Sequence, residues 1–434
     1  MSLYGALSIG VAGLDAASAA LSVSSSNISN VNTIGYKQAT ASFSTYLDAS
    51  SGSLGNASAG VRAVIGQDVT KNGLAESTSS PTDLSISGAG FFITTPSGSA
   101  TGPQEFTQVG NFTADKNGNL VNANGQYLLG WKLDTNGNPP SNNTDLSLIN
   151  VSGITGSAQE TTNVSLEANL QANSTTDASY VSGDMTAGNV SPDFQTTVNA
   201  YDSQGGLQPI TLSFIQTGTN QWAYEAAYAG NPANLSSPNP IATGTLNFNA
   251  DGSLANVNGA SPASGNVAIT MPWAAASGLA AQTINLNLGT VGTTNGITQF
   301  AANSAVSGQT VNGSPFGSVT GVTVGTNGIV TAQFSNGISE KVYQIPIATF
   351  ANPDGLLQLS GNAFGQSNSS GGANINQAGS GGAGTVVSNS LEESTVDLSS
   401  EFTKLITAQN AYSAAARVIS TANQMLTSLE QIPA

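Results

Sequence analysis

The most regular pattern in this sequence is a seven-residue spacing of apolar residues near its C-terminal end. The residues concerned are Leu391, Leu398, Leu405, Tyr412, Ile419 and Leu426, and Ala408, Ala415, Ala422 and Leu429 follow the last four at a distance of three. An apolar stripe with a period of 3.5 residues indicates a helix that packs against another helix. Ser390 and Glu393 match a capping box, so the pattern predicts a single helix over 391–430.

The N-terminal end carries the same spacing. Leu7, Leu14, Leu21 and Ile28 lie seven residues apart, and Asp15 is the only charged residue before Lys37. A helix with so little charge is expected to cover most of its surface with neighbours. We therefore predict that the two ends pair in one coiled-coil domain, 1–34 with 391–434, and that the rest of the chain lies between them.

The middle of the sequence has the texture of β-structure, with short apolar runs separated by turn residues. Residues 196–201 and 210–215 flank the turn sequence 202–206 and predict a hairpin. We expect an inner β domain (81–150 with 300–365), an outer β domain (151–299) and a connector (35–80 with 366–390), the latter ending in a Gly-, Ser- and Asn-rich linker. The predicted fold class is mainly β, with two β-barrel or sandwich domains and a terminal α-helical coiled coil.

Composition removes several classes of function. Charged residues make up 7% of the 434 residues, and the formal net charge is −16 with eight Lys and Arg. So few cations predict no nucleic-acid partner. Cysteine and histidine are absent, which excludes disulfides, thiolate metal sites and the usual general base. The sequence therefore predicts no metal, no cofactor and no enzymatic activity.

Two acidic patterns resemble a calcium loop and a paired-carboxylate site, but a structural role explains each of them. Asp115 and Asp134 each begin an Asp-x-Asn-Gly-Asn run, but its glycine is too early for an EF-hand and no Glu follows at the required position. A hairpin turn needs the same residues. A second group, Glu392, Glu393, Asp397 and Glu401, lies in the first turns of the predicted helix, where the helix dipole explains it.

The N-terminal segment does not match a secretory signal peptide. No Lys or Arg precedes Lys37, and Asp15 and many serines interrupt the apolar residues. No uninterrupted run reaches the length of a membrane span, so we also expect no membrane insertion. If the protein leaves the cell, we expect it to do so with its N-terminus in place.

Motifs at both ends resemble those of the bacterial flagellar rod and hook proteins. The matching residues are Asn27, Asn30, Thr33, Gly35, Tyr36 and Lys37 in the first motif, Gly88, Gly90, Phe91 and Phe92 in the second, and Asp397 and Gln409 in the C-terminal helix. Rod proteins are usually much shorter, so the size of the 151–299 region makes the chain most similar to hook proteins. A distal rod subunit, a secreted β-rich surface protein or adhesin, and an enzyme remain the alternatives.

The resemblance implies a structural subunit that polymerises into a curved helical tube and transmits motor torque from rod to filament. It implies as partners further copies of the chain, the distal rod protein, the hook cap, the hook-filament junction protein and the type III export apparatus. The implied location is the flagellar hook, outside the cell.

On that basis, two sets of residues have distinct expected roles. We expect the heptad residues to pack the inner tube: Leu7, Leu14, Leu21, Ile28, Leu398, Leu405, Tyr412, Ile419 and Leu426. We expect the outer domains to slide over one another, because Ser, Thr, Asn and Gly surfaces exchange hydrogen bonds with water at little net cost.

Overall fold

A computed structural model describes residues 3–47, 58–260 and 265–430, so the outermost residues of the predicted terminal domain lie outside it, as do parts of the predicted connector and outer domain. The side chain of Leu429 also lies outside the described residues. The chain divides into two compact units. The first unit contains Met1–Ile154, Gly321–Gln333 and Ser339–Ala434, and the second contains Thr155–Thr320 and Phe334–Ile338.

The secondary structure is mainly β, with a long helix near each end. The elements up to residue 154 are α1 (Leu3–Ser29), β1 (Ala39–Leu47), β2 (Ser58–Gln67), β3 (Ala75–Ser77), β4 (Leu84–Ser87), β5 (Phe91–Thr95), β6 (Glu105–Thr107), β7 (Thr113–Ala114), β8 (Leu120–Val121), β9 (Tyr127–Lys132) and β10 (Ser147–Leu148). The next are β11 (Ser157–Gln159), β12 (Asn163–Gln171), α2 (Asp184–Ala187), β13 (Phe194–Tyr201), β14 (Leu207–Gly218), β15 (Gln221–Tyr228), β16 (Ala242–Phe248), β17 (Leu254–Val257), β18 (Asn266–Met271), β19 (Gln282–Asn287), β20 (Ile297–Phe300), β21 (Ala305–Val311) and β22 (Ser314–Gly317). The last are β23 (Val319–Val324), β24 (Ile329–Phe334), β25 (Ser339–Gln344), β26 (Pro346–Thr349), β27 (Leu357–Leu359), β28 (Ala363–Gly365), β29 (Asn374–Gln377), β30 (Thr385–Ser388), β31 (Ser390–Glu392) and α3 (Leu398–Glu430).

Helices α1 and α3 pack together, which confirms the predicted pairing of the two ends. The residues buried in this seam are small: Ala16 and Ala17 on α1 and Ala408 and Ala422 on α3. Alanine side chains let two helix backbones approach closely, so the second position of the heptad supplies most of the seam within one chain, and Ile419 of the first position also lies against Gly10 of α1. The predicted packing residues Leu7, Leu14, Leu21, Ile28, Leu405, Ile419 and Leu426 are half-buried, whereas Leu398 and Tyr412 are 41% and 42% exposed.

The predicted start of the C-terminal helix was wrong. The helix begins at Leu398, and Asp397 caps it, since its Oδ1 accepts hydrogen bonds from the amides of Ser399 (2.8 Å) and Ser400 (3.0 Å). Leu391 lies in β31, opposite Glu76 of β3. Pairing with β3 supplies hydrogen bonds to the backbone around Leu391, so this segment is a strand. The heptad spacing therefore continues one step beyond the start of the helix.

The composition of residues 366–390 predicted a linker, but the segment contains paired strands. Strand β29 pairs with β26, and β30 pairs with β4. Ala378 and Val386 belong to the same apolar core as Leu84 and Ile86. These residues are thus part of the folded β-structure of the first unit, because strand pairing supplies the order that their glycines and serines do not.

Strand β5 is the centre of that β-structure. It pairs with β6, β9 and β26, and all five of its residues are buried. Phe92 faces a core with Leu84 and Phe112, whereas Phe91 faces a second core with Phe106 and Trp131. Consecutive residues of a strand point to opposite faces, so both faces of this strand are covered.

The second unit contains two five-stranded sheets that share one core. One sheet has the order β13-β14-β15-β16-β17, and β12 lies among β18, β19, β20 and β21 in the other. Their shared core includes Leu166, Phe214, Trp222 and Ile284. The hairpin predicted around 202–206 is confirmed, with Tyr201 opposite Leu207. Strands β21 and β22 carry this unit beyond the expected boundary at residue 299.

Candidate assembly site at the joined termini

The N-terminal motif joins the end of α1 to the start of β1. Asn27 is fully buried, and its amide group forms both hydrogen bonds of the Ala39 backbone: Nδ2 donates to the Ala39 carbonyl (2.8 Å) and Oδ1 accepts from the Ala39 amide (3.0 Å). The hydroxyl of Tyr36 also donates to Oδ1 (3.1 Å). A side-chain amide can pair in this way because it carries both a donor and an acceptor.

The next three motif residues form the turn between them. Asn30 Nδ2 donates to the carbonyl of Ser26 (2.8 Å), and the hydroxyl of Thr33 donates to Oδ1 of Asn30 (3.1 Å). Gly35 has φ +64°, and a Cβ there would lie 3.2 Å from the Gln108 backbone. A glycine is therefore required for both the backbone conformation and the close approach.

Lys37, between α1 and β1, and Glu392, at the end of β31, form a buried ion pair. Lys37 Nζ lies 2.8 Å from Oε1 of Glu392, and the two side chains are 1% and 3% exposed. Nζ also donates to the Lys71 carbonyl (2.7 Å), and the amide of Gly73 donates to the same Glu392 oxygen (2.6 Å). Burial lowers the pKa of Lys37, although Glu392 and Asp68 act in the opposite direction.

A second buried carboxylate, Glu401, joins the first turn of α3 to Gln38, the residue between the motif and β1. Its Oε1 accepts from Gln38 Nε2 (2.5 Å) and Lys404 Nζ (2.7 Å). Burial raises the pKa of Glu401, but hydrogen bonds from Lys404, Asn27, Gln38 and Ser24 outweigh it and leave the pKa below its ordinary value.

Thr395 completes the junction. Its amide donates to the carbonyl of Tyr36 (3.1 Å), and its hydroxyl accepts from the amide of Gln38 (2.8 Å). We call the set the closure site, and its members are Asn27, Tyr36, Lys37, Gln38, Glu392, Thr395 and Glu401. It holds the two ends of the chain together by hydrogen bonds whose donors and acceptors are mostly buried.

The second motif serves the β-structure and lies outside the closure site. The Gly88 carbonyl accepts from Asn72 Nδ2 (2.8 Å), and the Gly90 carbonyl accepts from Gln108 Nε2 (2.9 Å). A Cβ on Gly90 would collide with Cγ2 of Ile347. Phe91 and Phe92 then enter the two cores described above, so this motif sets the packing of β5.

The helix-dipole interpretation of the acidic group was wrong for Glu392 and Glu393, which precede the start of α3 at Leu398, and it does not account for the burial of Glu401 in the first turn. Glu392 and Glu401 are 2% and 0% exposed and bind partners near residue 37, whereas Glu393 is exposed and Asp397 caps the helix. Sequence reasoning also missed Gln38 and Thr395 as members of the site. The available signal was the rarity of charge: Lys37 ends an otherwise uncharged motif, and a buried lysine in such a chain needs a carboxylate partner.

The Asp-x-Asn-Gly-Asn runs are turns, as predicted. Asp115 Oδ1 accepts from the amides of Asn117 and Asn119 (both 2.8 Å), and Asp134 repeats the arrangement with Asn136 and Asn138. Within the described ranges, no group of three or more His, Cys, Asp or Glu side chains is placed to hold a metal ion.

Apolar surface is left open beside the closure site. A groove of about 590 Å³ lies between α1, α3 and the β1–β2 ribbon, lined by Ala17, Ala20, Phe43, Val61 and Ala411 among others. An 18-residue window within Gly5–Ser29 of α1 has a mean hydropathy of 1.6, so by length and composition alone this helix is apolar enough to cross a membrane, whereas the sequence pattern predicted no run of that length. Alanine is itself apolar, and serine lowers the mean hydropathy less than a charged residue does, so the serines of α1 do not bring the helix below that criterion.

The outer face of α3 carries further exposed apolar side chains. Besides Leu398 and Tyr412, Phe402 is 49% and Ile406 57% exposed, and Gln409 of the C-terminal motif lies exposed among them. This face turns away from the alanine seam with α1. Isolated exposed apolar residues are normal, but a stripe on one helix face indicates a surface that another chain covers.

Comparison with known families finds four models that match both ends and the middle of the chain. Residues 7–37 match the model described as "Flagella basal body rod protein", and 85–171 match "Flagellar hook protein FlgE/F/G D1 domain". Residues 169–314 match "Flagellar basal body protein FlaE D2 domain", and 387–432 match "Flagellar basal body rod FlgEFG protein C-terminal". The first and last of these matched segments contain most of the closure site.

Individual relatives agree with these matches over their full length. The chain is 32% identical to the flagellar hook protein FlgE of Caulobacter vibrioides, with 100% of both chains covered. It is 33% identical to FlgE of Escherichia coli K12, covering 98% of this chain and 99% of the relative. Among solved structures, the hook protein FlgE2 of Helicobacter pylori aligns with a TM-score of 0.44 at 14% identity, covering 72% of this chain and 98% of that one.

Proposed function

This chain belongs to the flagellar hook protein family, and on that premise we propose that copies of it assemble into a curved tube through their joined terminal helices. Members of this family are structural, not enzymatic, and the chain is a structural subunit of the flagellar hook that assembles with flagellar components. The observation that supports a role for the helices is the exposed apolar face of α3 beside a seam already filled by alanines.

The two heptad positions have separate tasks in this proposal. The alanines at the second position join α1 to α3 within a chain. The residues at the first position, Leu7, Leu14, Leu21, Ile28, Leu398, Leu405, Tyr412, Ile419 and Leu426, pack against neighbouring copies in the inner tube. Their half-buried or exposed state in a single chain supports this assignment, because burial of their remaining apolar surface drives association. The apolar surface of α1 would be covered in the same way.

Repetition of one such contact produces a tube without any further component. When the contacting surfaces of a subunit differ and the rotation between copies does not close a ring, the copies form an open helical polymer. The inner tube would carry torsion from the motor, while the second unit slides against its neighbours as the hook bends. A neutral polar surface supports sliding, and this unit has no Lys or Arg that could form fixed ion pairs.

The further partners follow from the place of a hook in the flagellum. We propose contacts with the distal rod protein at one end of the tube and with the hook cap during growth. The hook-filament junction protein would bind at the other end. Export would use the type III apparatus without removal of the N-terminal segment, because α1 is needed in the assembled tube. A distal rod subunit is the nearest alternative.

The test is a double variant on the exposed face of α3, Leu398→Ser with Tyr412→Ser, in the full-length protein. Both side chains are exposed in a single chain, so the fold should survive while tube formation, followed by electron microscopy, is lost. Asn410→Ser, at an exposed position of the same helix outside the apolar stripe, is the matched control, and the helical circular dichroism signal reports folding. Tubes of normal yield and diameter from a folded double variant would refute the proposed contact.

A further inference from the structure

Residues 172–193 connect β12 to β13 and lie against one face of the second unit's β13–β17 sheet. We call this segment the strap. It contains the short helix α2, and Met185 of that helix packs on Ile215 of β14 and Ala223 of β15. The opposite face of the same sheet bears Tyr224 and Ala226, which belong to the main core of the unit. The strap therefore covers a second, smaller apolar patch that is separate from that core.

Glu225 of β15 points into this second patch and is fully buried. Every hydrogen bond to its carboxylate comes from the strap. Oε1 accepts from the hydroxyl of Tyr180 (2.7 Å) and from the amides of Gly183 (2.8 Å) and Met185 (3.2 Å). Oε2 accepts from the amide (2.7 Å) and the hydroxyl (2.5 Å) of Thr186. The strap alone thus supplies hydrogen-bond donors to both oxygens of the Glu225 carboxylate.

This arrangement is unusual because no cation is available to it. The second unit contains eight Asp and Glu residues and neither Lys nor Arg. A buried carboxylate without a cation depends on hydrogen-bond donors, and losing them would leave a charge in apolar surroundings. Burial raises the pKa of Glu225, but the donors on Thr186, Tyr180 and Gly183 outweigh it and lower the pKa, so the group stays ionised.

Outside this contact, the strap is held mainly near its two ends. The amide of Asp177 donates to the carbonyl of Gln216 (2.8 Å), and the amide of Gln216 donates to Oδ2 of Asp193 (2.8 Å). No described strap residue belongs to the main core of the unit. Detaching the middle of the strap would expose Ile215 and Ala223 but leave the core and the strand pairing intact.

We propose that Glu225 is a latch and that the strap opens and closes as one element over the intact sheet. In the closed state the carboxylate is held by the strap, and in the open state it is held by water. Because opening exchanges one complete set of hydrogen bonds for another, the strap moves between two states and does not fray gradually. This gives the second unit an apolar patch that is covered or exposed without unfolding, whether or not the inner-tube assignment above is correct.

The test is hydrogen exchange by mass spectrometry on the full-length protein with Glu225→Gln. A glutamine keeps the size of the side chain, but its NH₂ group faces amide donors that it cannot accept from. We expect the strap amides at 177–187 to exchange at least about tenfold faster, with no change in β13–β17. Glu167→Gln, an exposed glutamate on β12 of the same unit, is the matched control and should change neither region.

Two results would overturn the latch. One is unchanged exchange of the strap in Glu225→Gln, and the other is acceleration of the strap and the sheet together, which would make Glu225 a residue of the unit's general stability. If Glu225→Gln does not fold, Thr186→Val removes one donor and keeps the charge. The strap alone should then exchange faster, by a smaller factor, and equal acceleration in β13–β17 would again refute the proposal.

Discussion

Lys37 and Glu392 lie 355 positions apart in the sequence and 2.8 Å apart in the structure. A buried charge is costly unless it is paired, so each residue makes the other necessary. In a chain with eight basic residues, few wrong partners exist for Glu392. The pair thus favours one way of bringing the returning chain back to the end of α1, even if its net contribution to stability is small.

Replacing Lys37 alone should therefore be costly. Lys37→Met leaves Glu392 buried and without its cation, and we expect a loss of about 3–5 kcal/mol in the free energy of unfolding. Adding Glu392→Leu should recover part of that loss. Urea unfolding followed by helical circular dichroism, which comes mainly from α1 and α3, measures both. Lys116→Met, at an exposed turn, is the control, and an equal effect of the two lysine variants would contradict the role of the pair.

Glu401 should make the docking of α3 sensitive to acid. Its pKa in the folded chain is below the ordinary value of 4.5. A carboxyl with a lowered pKa contributes stability that is present above the unfolded pKa and is lost as the pH falls through the folded pKa. Glu401→Gln should thus be less stable than the parent by an amount that is constant above about pH 5.5 and shrinks below about pH 4.5.

Urea unfolding of both proteins between neutral and acid pH, followed by the helical signal, gives this difference directly. The buried Glu401 must be distinguished from carboxylates elsewhere, and exposed Glu393 serves for that purpose. Glu393→Gln should run parallel to the parent over the same range. A difference between Glu401→Gln and the parent that stays constant down to pH 3 would mean that Glu401 keeps no specific partners.

At the scale of elements, the long helices were predictable because a heptad pattern does not depend on distant residues. The spacing of Leu398 to Leu426 predicts α3, and the same rule finds α1. The pattern did not show which face of α3 packs against α1 within one chain. Alanines and leucines both follow the heptad, and only the approach of α1 shows that Ala408 and Ala422 fill the seam.

The closure site was less predictable for a related reason. The residues from Asn27 to Lys37 form a recognisable motif because they are close in sequence. Their partners Glu392, Thr395 and Glu401 are more than 350 positions further on, and their partnership depends on β31 pairing with β3. The glycine-rich segment 366–390 misled for the opposite reason, since its strands are set by β4 and β26 and not by local propensity.

The start of α3 provides a direct test at this scale. Asp397→Ala removes the side-chain acceptor for the amides of Ser399 and Ser400, and we expect a loss of about 1 kcal/mol in the free energy of unfolding. Glu393→Ala, at the position that the wrong capping box would have used, should have almost no effect. Equal losses in the two variants would mean that the helix is capped further upstream than Leu398.

At the scale of the whole molecule, positive charge is confined to one of the two units. All Lys and Arg residues lie before residue 133 or after residue 340, so the second unit carries only negative side-chain charges. Its stability must come from apolar burial and neutral hydrogen bonds, together with the few buried carboxylates that find donors. Its charges can only repel one another. The first unit, in contrast, contains its own buried ion pair.

This separation predicts that salt acts on the second unit in one direction only. Raising sodium chloride from about 0.01 M to about 1 M shortens the screening length from about 30 Å to about 3 Å, which weakens repulsion among the exposed carboxylates. Hydrogen exchange of β13–β17 should then stay equal or become slower. The Lys37–Glu392 pair is buried and screened little, so amides near β31 should hardly change. Faster exchange of β13–β17 at high salt would require an attractive charge interaction in that unit, and its sequence contains no side-chain cation to provide one.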